Sequence, residues 1–413
     1  METIDYLQRS KLYHKLIHGP YGAFSRVYAA RLSEEGLAWQ CAQRSLSLFR
    51  DLMDWHVGSG HEAGHLDEAS IERFLDHRSQ HWQINAGDRA ALRRLLSALR
   101  DNGLIVAASP VELTEQQRII QDFSAHMVND RGLTHHTSDR HMLFARRFLQ
   151  EIFPSEPCVF STLNPELIIR YVERHALDGA ADSGKAMCCS LRAFLRYLHL
   201  RGHIADALAE CVPSIRRWRF AGLPTFMPPQ KVQEVLDHCD RTTPMGLRDF
   251  AILMVLAKLG LRAGEIAAIT LDDIDWRAGE ILVHGKGRRR ATMPLRRDVG
   301  AAIVAYLRQG RPDATSRHLL LRMLAPHVGF ASGCAITMIA KLALARAGIH
   351  GYAHHGAHLF RHSLATDLLR SGASFDEIGQ LLRHESTDST RIYAKLDIEK
   401  LRTLSQPWPG GVQ

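Results

Sequence analysis

The sequence predicts a mainly α-helical chain with one small antiparallel β-sheet in its C-terminal part. Apolar residues recur at helical spacing through residues 24–105 and 118–205, and again through much of 230–400. Residues 274–295 instead read as three short strands, because β-favouring residues there are separated by Gly- and Pro-containing turns. A chain of 413 residues is also too long for one typical core, so we expect two or three domains.

The composition excludes several classes of protein. Apolar residues make up 46% of the chain and charged residues 23%, and the formal net charge of +8 suits a polyanionic partner without identifying one. The seven cysteines are scattered, odd in number and form no Cys-x-x-Cys pair, which argues against a disulfide scaffold or a zinc ribbon. Neither a signal-peptide core nor an apolar run long enough to span a membrane is visible. We therefore expect a cytoplasmic protein.

The helical pattern of residues 24–105 returns almost one hundred residues later. Gly36 and Gly132 match at an offset of 96, as do Arg44 and Arg140. Further matching pairs are Leu66 with Leu163, Ile71 with Ile168, Leu92 with Leu191, and Ile105 with Ile204. The slow growth of the offset favours duplication of one helical module. The alternative is that any two four-helix segments of similar length align on their apolar positions.

The side chains that could take part in catalysis are concentrated in the C-terminal half. His358 and Arg361 are three apart on a helical segment, so both project from one face and can hold one oxyanion. The phenol of Tyr393 can serve as a nucleophile. Lys286 lies between two glycines, at the predicted tip of the small sheet. Taken singly, such an arginine is usually a solvated charge and such a tyrosine usually part of the core.

Six residues of this half stand in an order that resembles the phage-integrase type of tyrosine recombinase. That family has Arg, Lys, His-x-x-Arg, His or Trp, and then Tyr. The matching residues here are Arg262, Lys286, His358, Arg361, His384 and Tyr393. The resemblance covers about residues 110–400 and is most specific from Arg262 onward.

The resemblance implies a domain order. Residues 109–212 would be the helical, SAM-like core-binding domain that clamps DNA, and 213–229 a Pro- and Gly-rich linker. Residues 230–413 would be the tyrosine-recombinase catalytic domain with a C-terminal tail, in which residues 396–404 could form a short helix. Residues 1–108 would then be a degenerate second copy of the core-binding module. This copy carries acidic stretches, so a role in protein–protein contact stays open beside DNA binding.

The resemblance also implies a reaction and a role for each residue. A site-specific DNA recombinase of this type cleaves and rejoins duplex DNA through a 3′-phosphotyrosyl intermediate, as a DNA strand transferase that needs no metal, cofactor or ATP. The arginines Arg262 and Arg361 would neutralise the non-bridging phosphate oxygens, and Tyr393 would attack the phosphorus. Lys286 would protonate the leaving 5′-oxygen, His358 would assist as acid or base toward the tyrosine, and His384 would donate to the phosphate.

The implied partners are duplex DNA at a specific recombination site and further copies of the chain. We expect a homo-tetramer on paired sites, with or without a partner recombinase, acting in integration, excision, resolution or transposition of a mobile element. Basic residues of the core-binding domain, the linker and the hairpin are candidate DNA contacts, with a solvated helix face as the alternative. They are Arg140, Arg146, Arg147, Lys185, Arg192, Arg196, Arg201, Arg216, Arg217 and Arg288.

Two other functions stay open at this point. A type IB topoisomerase-like enzyme would use the same chemistry without pairing two sites, and a DNA-binding accessory protein would carry out no catalysis. A zinc site at His358 and His362 is not expected, because Leu359 stands where H-E-x-x-H has its glutamate.

Two residues that lie close to the candidate catalytic residues in the sequence need an explanation. Glu265, three residues after Arg262, is expected to cap a helix or support that arginine. Arg383 precedes His384 where many family members have glycine; it could alter the local turn or add a phosphate contact, and the sequence leaves its effect open.

Overall fold

The computed structural model describes residues 10–85, 87–106, 113–155, 157–176, 181–215, 225–285, 289–352, 355–383 and 393. The chain divides into two compact units, one formed by residues 1–107 together with 222–413, and the other by 108–221. Across the described ranges, no helix has both the length and the apolar character needed to cross a bilayer. The predicted division into 1–108, 109–212, 213–229 and 230–413 stays a prediction.

Residues 10–106 form helices that pack around an apolar core. The helices are α1 (Lys11–Ile17), α2 (Gly22–Glu34), α3 (Trp39–Gly58), α4 (Glu68–Ser79) and α5 (Asp88–Asp101). Tyr28 is fully buried, and its hydroxyl donates to the carbonyl of Ala91, 2.8 Å away, which ties α2 to α5. Many arginines of this region pair with carboxylates of the same region. These pairs are Arg44 with Asp88, Arg78 with Asp51, Arg89 with Glu72, Arg94 with Glu35, and Arg100 with Glu68.

Residues 113–215 form the second compact unit, which is again helical. Its helices are α6 (Glu115–Ala125), α7 (His135–Ile152), α8 (Pro165–Ala176) and α9 (Ala181–Leu200). Thr114 begins α6 as a capping box, since its hydroxyl accepts from the N–H of Gln117 and the side chain of Gln117 accepts from the N–H of Thr114. Phe123 and Phe194 meet in the core with ring centroids 5.0 Å apart.

Residues 225–383 contain the sheet and the remaining described helices. The helices are α10 (Pro229–Asp237), α11 (Pro244–Leu259), α12 (Ala263–Ala268), α13 (Arg297–Gln309), α14 (Gly333–Arg346), α15 (Ala357–Arg370) and α16 (Phe375–Leu382). Most of α11 is buried, which explains why its sequence is apolar on almost every face. It packs against α13 and α15, so it forms the centre of this region.

The sheet has the antiparallel order β1-β2-β3, formed by Ile274–Asp275, Glu280–His284 and Arg290–Pro294. Ile281 pairs with Met293, and Val283 with Ala291. Ile281 and Val283 are buried and alternate with less buried residues. This two-residue period is typical of a sheet that packs one face on the core. The prediction of a mainly helical chain with one small antiparallel sheet is confirmed.

Candidate active site

Arg361 lies buried on α15, with only 4% of its surface exposed. One terminal nitrogen donates to the carbonyl of Gly260, 2.5 Å away, and the other donates to the carbonyl of Leu382. Arg361 therefore joins the C-terminal ends of α11 and α16. Burial, together with the nearby charge of Arg262, lowers the pKa of Arg361 to about 10. The guanidinium is still charged at neutral pH, because that value lies above 7.

Gly260 ends α11 in the left-handed conformation, at φ +59°. A Cβ atom there would lie 2.8 Å from Cδ2 of Leu382 and 2.9 Å from Cδ2 of Leu364. A glycine therefore meets both the backbone and the packing requirements of this corner. A glycine directly after an apolar helical run is also the sequence signal for such a helix end.

We expect Gly260→Ala to destabilise the protein by about 1–2 kcal/mol, because the left-handed backbone and the crowded Cβ position both penalise a side chain. Urea unfolding of the full chain measures the change. Gly264→Ala is the matched control, since a Cβ atom at Gly264 would meet nothing within 4 Å. Equal stability of the two variants would contradict the strain at Gly260.

Arg262 stands at the start of α12 and is held by Glu265. The backbone N–H of Arg262 donates to Oε2 of Glu265, and its Nη1 donates to Oε1, both over 2.8 Å. Burial by itself would raise the pKa of Glu265, but the Arg262 N–H and the charges of Arg383 and Arg262 hold that pKa below its usual value. Glu265 is therefore an ionised, buried carboxylate. It both caps the helix and orients the arginine, so the two expected roles coexist.

Arg383 is a second arginine on the same carboxylate. Its Nη2 lies 2.8 Å from Oε2 of Glu265, and 15% of its side chain is exposed. Its backbone carbonyl accepts from Nη2 of Arg262 over 3.5 Å. Arg262, Glu265 and Arg383 thus form one connected group.

Tyr393 is buried against residues of α15 and α16. The side chain is 1% exposed and belongs to a small apolar cluster with Leu369, Ile378 and Leu382. Burial raises the pKa of Tyr393 to about 12, although the charges of Arg361 and Arg262 oppose the rise. The phenol is therefore protonated at neutral pH and needs a proton acceptor before it can attack phosphorus.

His362 provides a candidate acceptor. Its Nδ1 lies 2.8 Å from Oη of Tyr393, and the two rings meet edge-on with centroids 5.6 Å apart. When that nitrogen is unprotonated, the tyrosine hydroxyl donates to it. His358 lies one helical turn earlier and is exposed, with its ring centroid 6.3 Å from that of His362.

The predicted catalytic residues are thus partly assembled. Arg262, Arg361 and Tyr393 interact electrostatically, because the charge of Arg262 contributes to the pKa shifts of both other residues. Lys286, His384 and the predicted tail helix lie outside the described residues. At the level of the sequence, His362 was considered only as a zinc ligand. It lies directly after Arg361 and one turn after His358, and this position is the signal that could have placed it among the candidate site residues.

The predicted DNA contacts differ in their surroundings. Arg140, Arg146, Arg147, Lys185 and Arg196 are exposed, and Arg196 lies 3.4 Å from Glu210. Arg192 instead donates to the carbonyls of Val212 and Pro213 and to the hydroxyl of Ser214, and so holds the chain that follows α9. Of the remaining candidates, Arg201 lies over the ring of Tyr197, whereas Arg216, Arg217 and Arg288 fall outside the described ranges.

The histidines and carboxylates of the described ranges do not gather into a metal site. Within that part of the chain, no group of three or more His, Cys, Asp or Glu side chains is arranged to hold a metal ion.

The sequence of the chain matches a known protein family and several of its relatives. Residues 225–400 match the model of the phage integrase family. The chain is 34% identical over 397 residues to a Sinorhizobium fredii (strain NBRC 101917 / NGR234) protein named as an integrase/recombinase, y4rA, and the match covers 96% of each chain. It is 30% identical over 221 residues to the tyrosine recombinase XerC of Bacillus subtilis (strain 168), covering 52% of this chain and 70% of XerC.

Solved structures agree at the level of the fold. The XerH site-specific recombinase, bound to a palindromic difH substrate in a post-cleavage complex, matches with a TM-score of 0.53 and 15% identity over 87% of this chain and 94% of that one. A lambda integrase (75–356) dimer bound to a COC′ core site matches with a TM-score of 0.51 and 14% identity over 67% of this chain and 94% of that one.

The fold and the relatives together define a DNA strand transferase of the tyrosine-recombinase class. The chain belongs to the phage integrase family, and it is a site-specific DNA recombinase.

Proposed function

We propose that this recombinase exchanges strands between two copies of a specific duplex site, through a 3′-phosphotyrosyl link to Tyr393, in the movement of a mobile element. The observation that carries the proposal is the placement of Tyr393. Its buried hydroxyl lies against a ring nitrogen of His362, and that histidine directly follows Arg361 on α15. A nucleophile, a proton acceptor and a fixed cation for the phosphate are thus held on one helix and the residue packed against it.

The two arginines suit a phosphodiester. Arg361 has five N–H donors, and its contacts with Gly260 and Leu382 engage one hydrogen on each terminal nitrogen. Three N–H donors are then left for phosphate oxygens. Arg262 is about one-third exposed at its side chain, and its partner Glu265 fixes its orientation. This geometry supports both arginines as clamps on the non-bridging oxygens.

The remaining roles follow from the chemistry and the family order. Because the Tyr393 hydroxyl lies within hydrogen-bond distance of Nδ1 of His362, we assign proton acceptance to His362, and we keep His358 beside Arg361 for a phosphate oxygen. Lys286 would protonate the leaving 5′-oxygen and His384 would donate to the phosphate. The covalent link would retain the energy of the broken ester bond, so the 5′-hydroxyl of another strand could reverse the step without ATP.

We expect His362→Ala to slow cleavage by about 100-fold or more at pH 7 and to steepen its pH dependence, because the phenol loses its proton acceptor. Below the Tyr393 pKa of about 12, the phenolate fraction then rises about tenfold per pH unit. Single-turnover cleavage of a nicked duplex between pH 7 and 9 measures the slope. A slope unchanged from wild type would contradict proton acceptance by His362.

The second compact unit is proposed to grip the DNA backbone. We expect the double variant Arg146→Ala/Arg147→Ala to reduce the salt dependence of binding, by roughly one unit of slope for each of these arginines that binds a phosphate, and to weaken affinity severalfold. Equilibrium binding across a salt series measures both quantities. The matched control is Arg89→Ala/Arg100→Ala, two arginines already paired with Glu72 and Glu68. Equal losses of salt dependence and DNA affinity in both variants would show that residues 10–106 also bind the DNA backbone.

We propose a role in assembly for residues 10–106, where many arginines pair with carboxylates of the same region. A carboxylate beside each of these guanidinium groups weakens its attraction for a phosphate. The lambda integrase structure is a dimer on DNA, and we propose that the present chain likewise assembles on its site, as a homo-tetramer when two sites pair.

A strand-exchange assay tests the proposed function. Supercoiled plasmids carrying one or two copies of the DNA that flanks the gene are incubated with the protein and EDTA. We expect recombinant products only when two sites are present. Relaxation of one-site plasmids without exchange would favour the topoisomerase-like alternative, and specific binding without strand breakage would favour the accessory protein.

A further inference from the structure

Arg383 occupies a backbone position that disfavours its own residue type. It follows α16 in the left-handed region at φ +53°, the single non-glycine residue with positive φ among those the structure describes. An L-residue with a side chain is strained in this conformation, and glycine adopts it freely. The simple requirement of ending α16 would therefore be met better by glycine. Some other interaction of Arg383 must offset the strain.

The side chain makes that interaction with the arginine–glutamate pair of the active site. Its Nη2 donates to Oε2 of Glu265 over 2.8 Å, while its Nη1 contacts Sδ of Met293 on β3 and the carbonyl of Leu381. The backbone carbonyl of Arg383 accepts from Nη2 of Arg262. Arg383 is therefore bound to both members of the pair, and it also reaches β3 of the small sheet.

The charges of Arg262, Glu265 and Arg383 affect how strongly the site attracts a phosphate. Glu265 is ionised and buried, and in a pair with Arg262 alone it would cancel the charge of that arginine. Arg383 shares that carboxylate, so Glu265 neutralises Arg262 only in part, and Arg262 keeps positive charge beside Arg361. A phosphodiester gains negative charge on its oxygens as a nucleophile adds, so this charge stabilises the transition state more than the bound substrate.

We propose that Arg383 is a positioning residue for strand cleavage, which holds Glu265 so that Arg262 presents its guanidinium to the scissile phosphate. The inference rests on the proposed function. It requires that Arg383 act through Glu265, and that the side chain is retained for catalysis at a cost in backbone strain.

The test compares Arg383→Gly and Arg383→Lys in the full-length protein, with Arg296→Ala as the control. Arg296 is an exposed arginine that pairs with Asp298, 3.0 Å away, rather than with Glu265. Three readouts are measured: urea unfolding, affinity for a nicked duplex of gene-flanking DNA, and single-turnover cleavage of that duplex. We expect Arg383→Gly to keep a stability close to that of wild type, because relief of the left-handed backbone offsets loss of the ion pair with Glu265. It is expected to bind DNA within about twofold, yet to cleave about 10- to 30-fold more slowly, as for the loss of one charge-assisted hydrogen bond. Arg383→Lys recovers part of the rate.

A double-mutant cycle with Glu265→Gln separates positioning from direct phosphate contact. If Arg383 acts through Glu265, then Arg383→Gly slows cleavage much less in the Glu265→Gln background than in wild type. Full additivity, unchanged cleavage in Arg383→Gly, or a loss of cleavage that only tracks a loss of stability would each overturn the inference. No cleavage by the wild-type protein would instead contradict the proposed function itself.

Discussion

Replacing Tyr393 with phenylalanine is expected to abolish covalent strand cleavage while leaving DNA affinity within about twofold, because the change removes the nucleophilic oxygen and keeps the buried ring. The ring fills the cluster with Leu369, Ile378 and Leu382, so the packing survives the substitution. The hydrogen bond with His362 disappears together with the hydroxyl. The result would thus separate chemistry from binding and from folding.

Tyr306→Phe is the matched control for that variant. Tyr306 is also a fully buried tyrosine of the same compact unit, and its hydroxyl accepts from the N–H of Leu321 over 3.2 Å. We expect it to lose about 1 kcal/mol of stability, as for one buried hydrogen bond, and to cleave at the wild-type rate when folded. Cleavage retained in Tyr393→Phe, or lost equally in both variants, would contradict the assignment of the nucleophile.

Arg361→Lys is expected to slow cleavage by about 100- to 1,000-fold, although the positive charge is kept. The planar guanidinium bridges the carbonyls of Gly260 and Leu382 and still has donors for a phosphate. A lysine ammonium has three donors on a single nitrogen and cannot span both carbonyls while also gripping two phosphate oxygens. Single-turnover cleavage at saturating protein measures the loss, with urea unfolding measured in parallel.

Arg248→Lys controls for the effect of changing a buried arginine. Arg248 is 7% exposed in the same unit, and it contacts Asp249 and the carbonyl of Leu321 rather than the residues of the candidate site. We expect this control to lose stability but to keep near-normal cleavage under conditions where it is folded. If both variants lose cleavage in proportion to their stability, Arg361 acts only as a structural residue.

The elements of the fold could be predicted from local patterns. Nearly every face of α11 is apolar, and the structure buries it at the centre of its region. The strands at Glu280–His284 and Arg290–Pro294 follow from β-favouring residues between turn residues, which is a local signal. The helical spacing of His358 and Arg361 likewise placed both residues on α15.

The contacts of the site could not be predicted in the same way. Positions 358, 361 and 362 all lie on α15, and which histidine meets Tyr393 depends on the path of the chain beyond α16. The pair of Glu265 and Arg383 joins residues 118 positions apart, and no local period encodes such a contact. The role of Arg192 is a similar case, because its basic side chain holds neighbouring carbonyls rather than standing free on a helix face.

The most direct test of the central claim is to identify the residue that becomes linked to DNA. The protein is incubated in EDTA with a nicked duplex of gene-flanking DNA, the denaturant-resistant adduct is digested with nuclease and protease, and the modified peptide is sequenced by mass spectrometry. The account predicts a nucleotide attached through its 3′-phosphate to Tyr393, with no such peptide from Tyr393→Phe. A nucleotide on any other residue, or sequence-specific binding without an adduct, would contradict it.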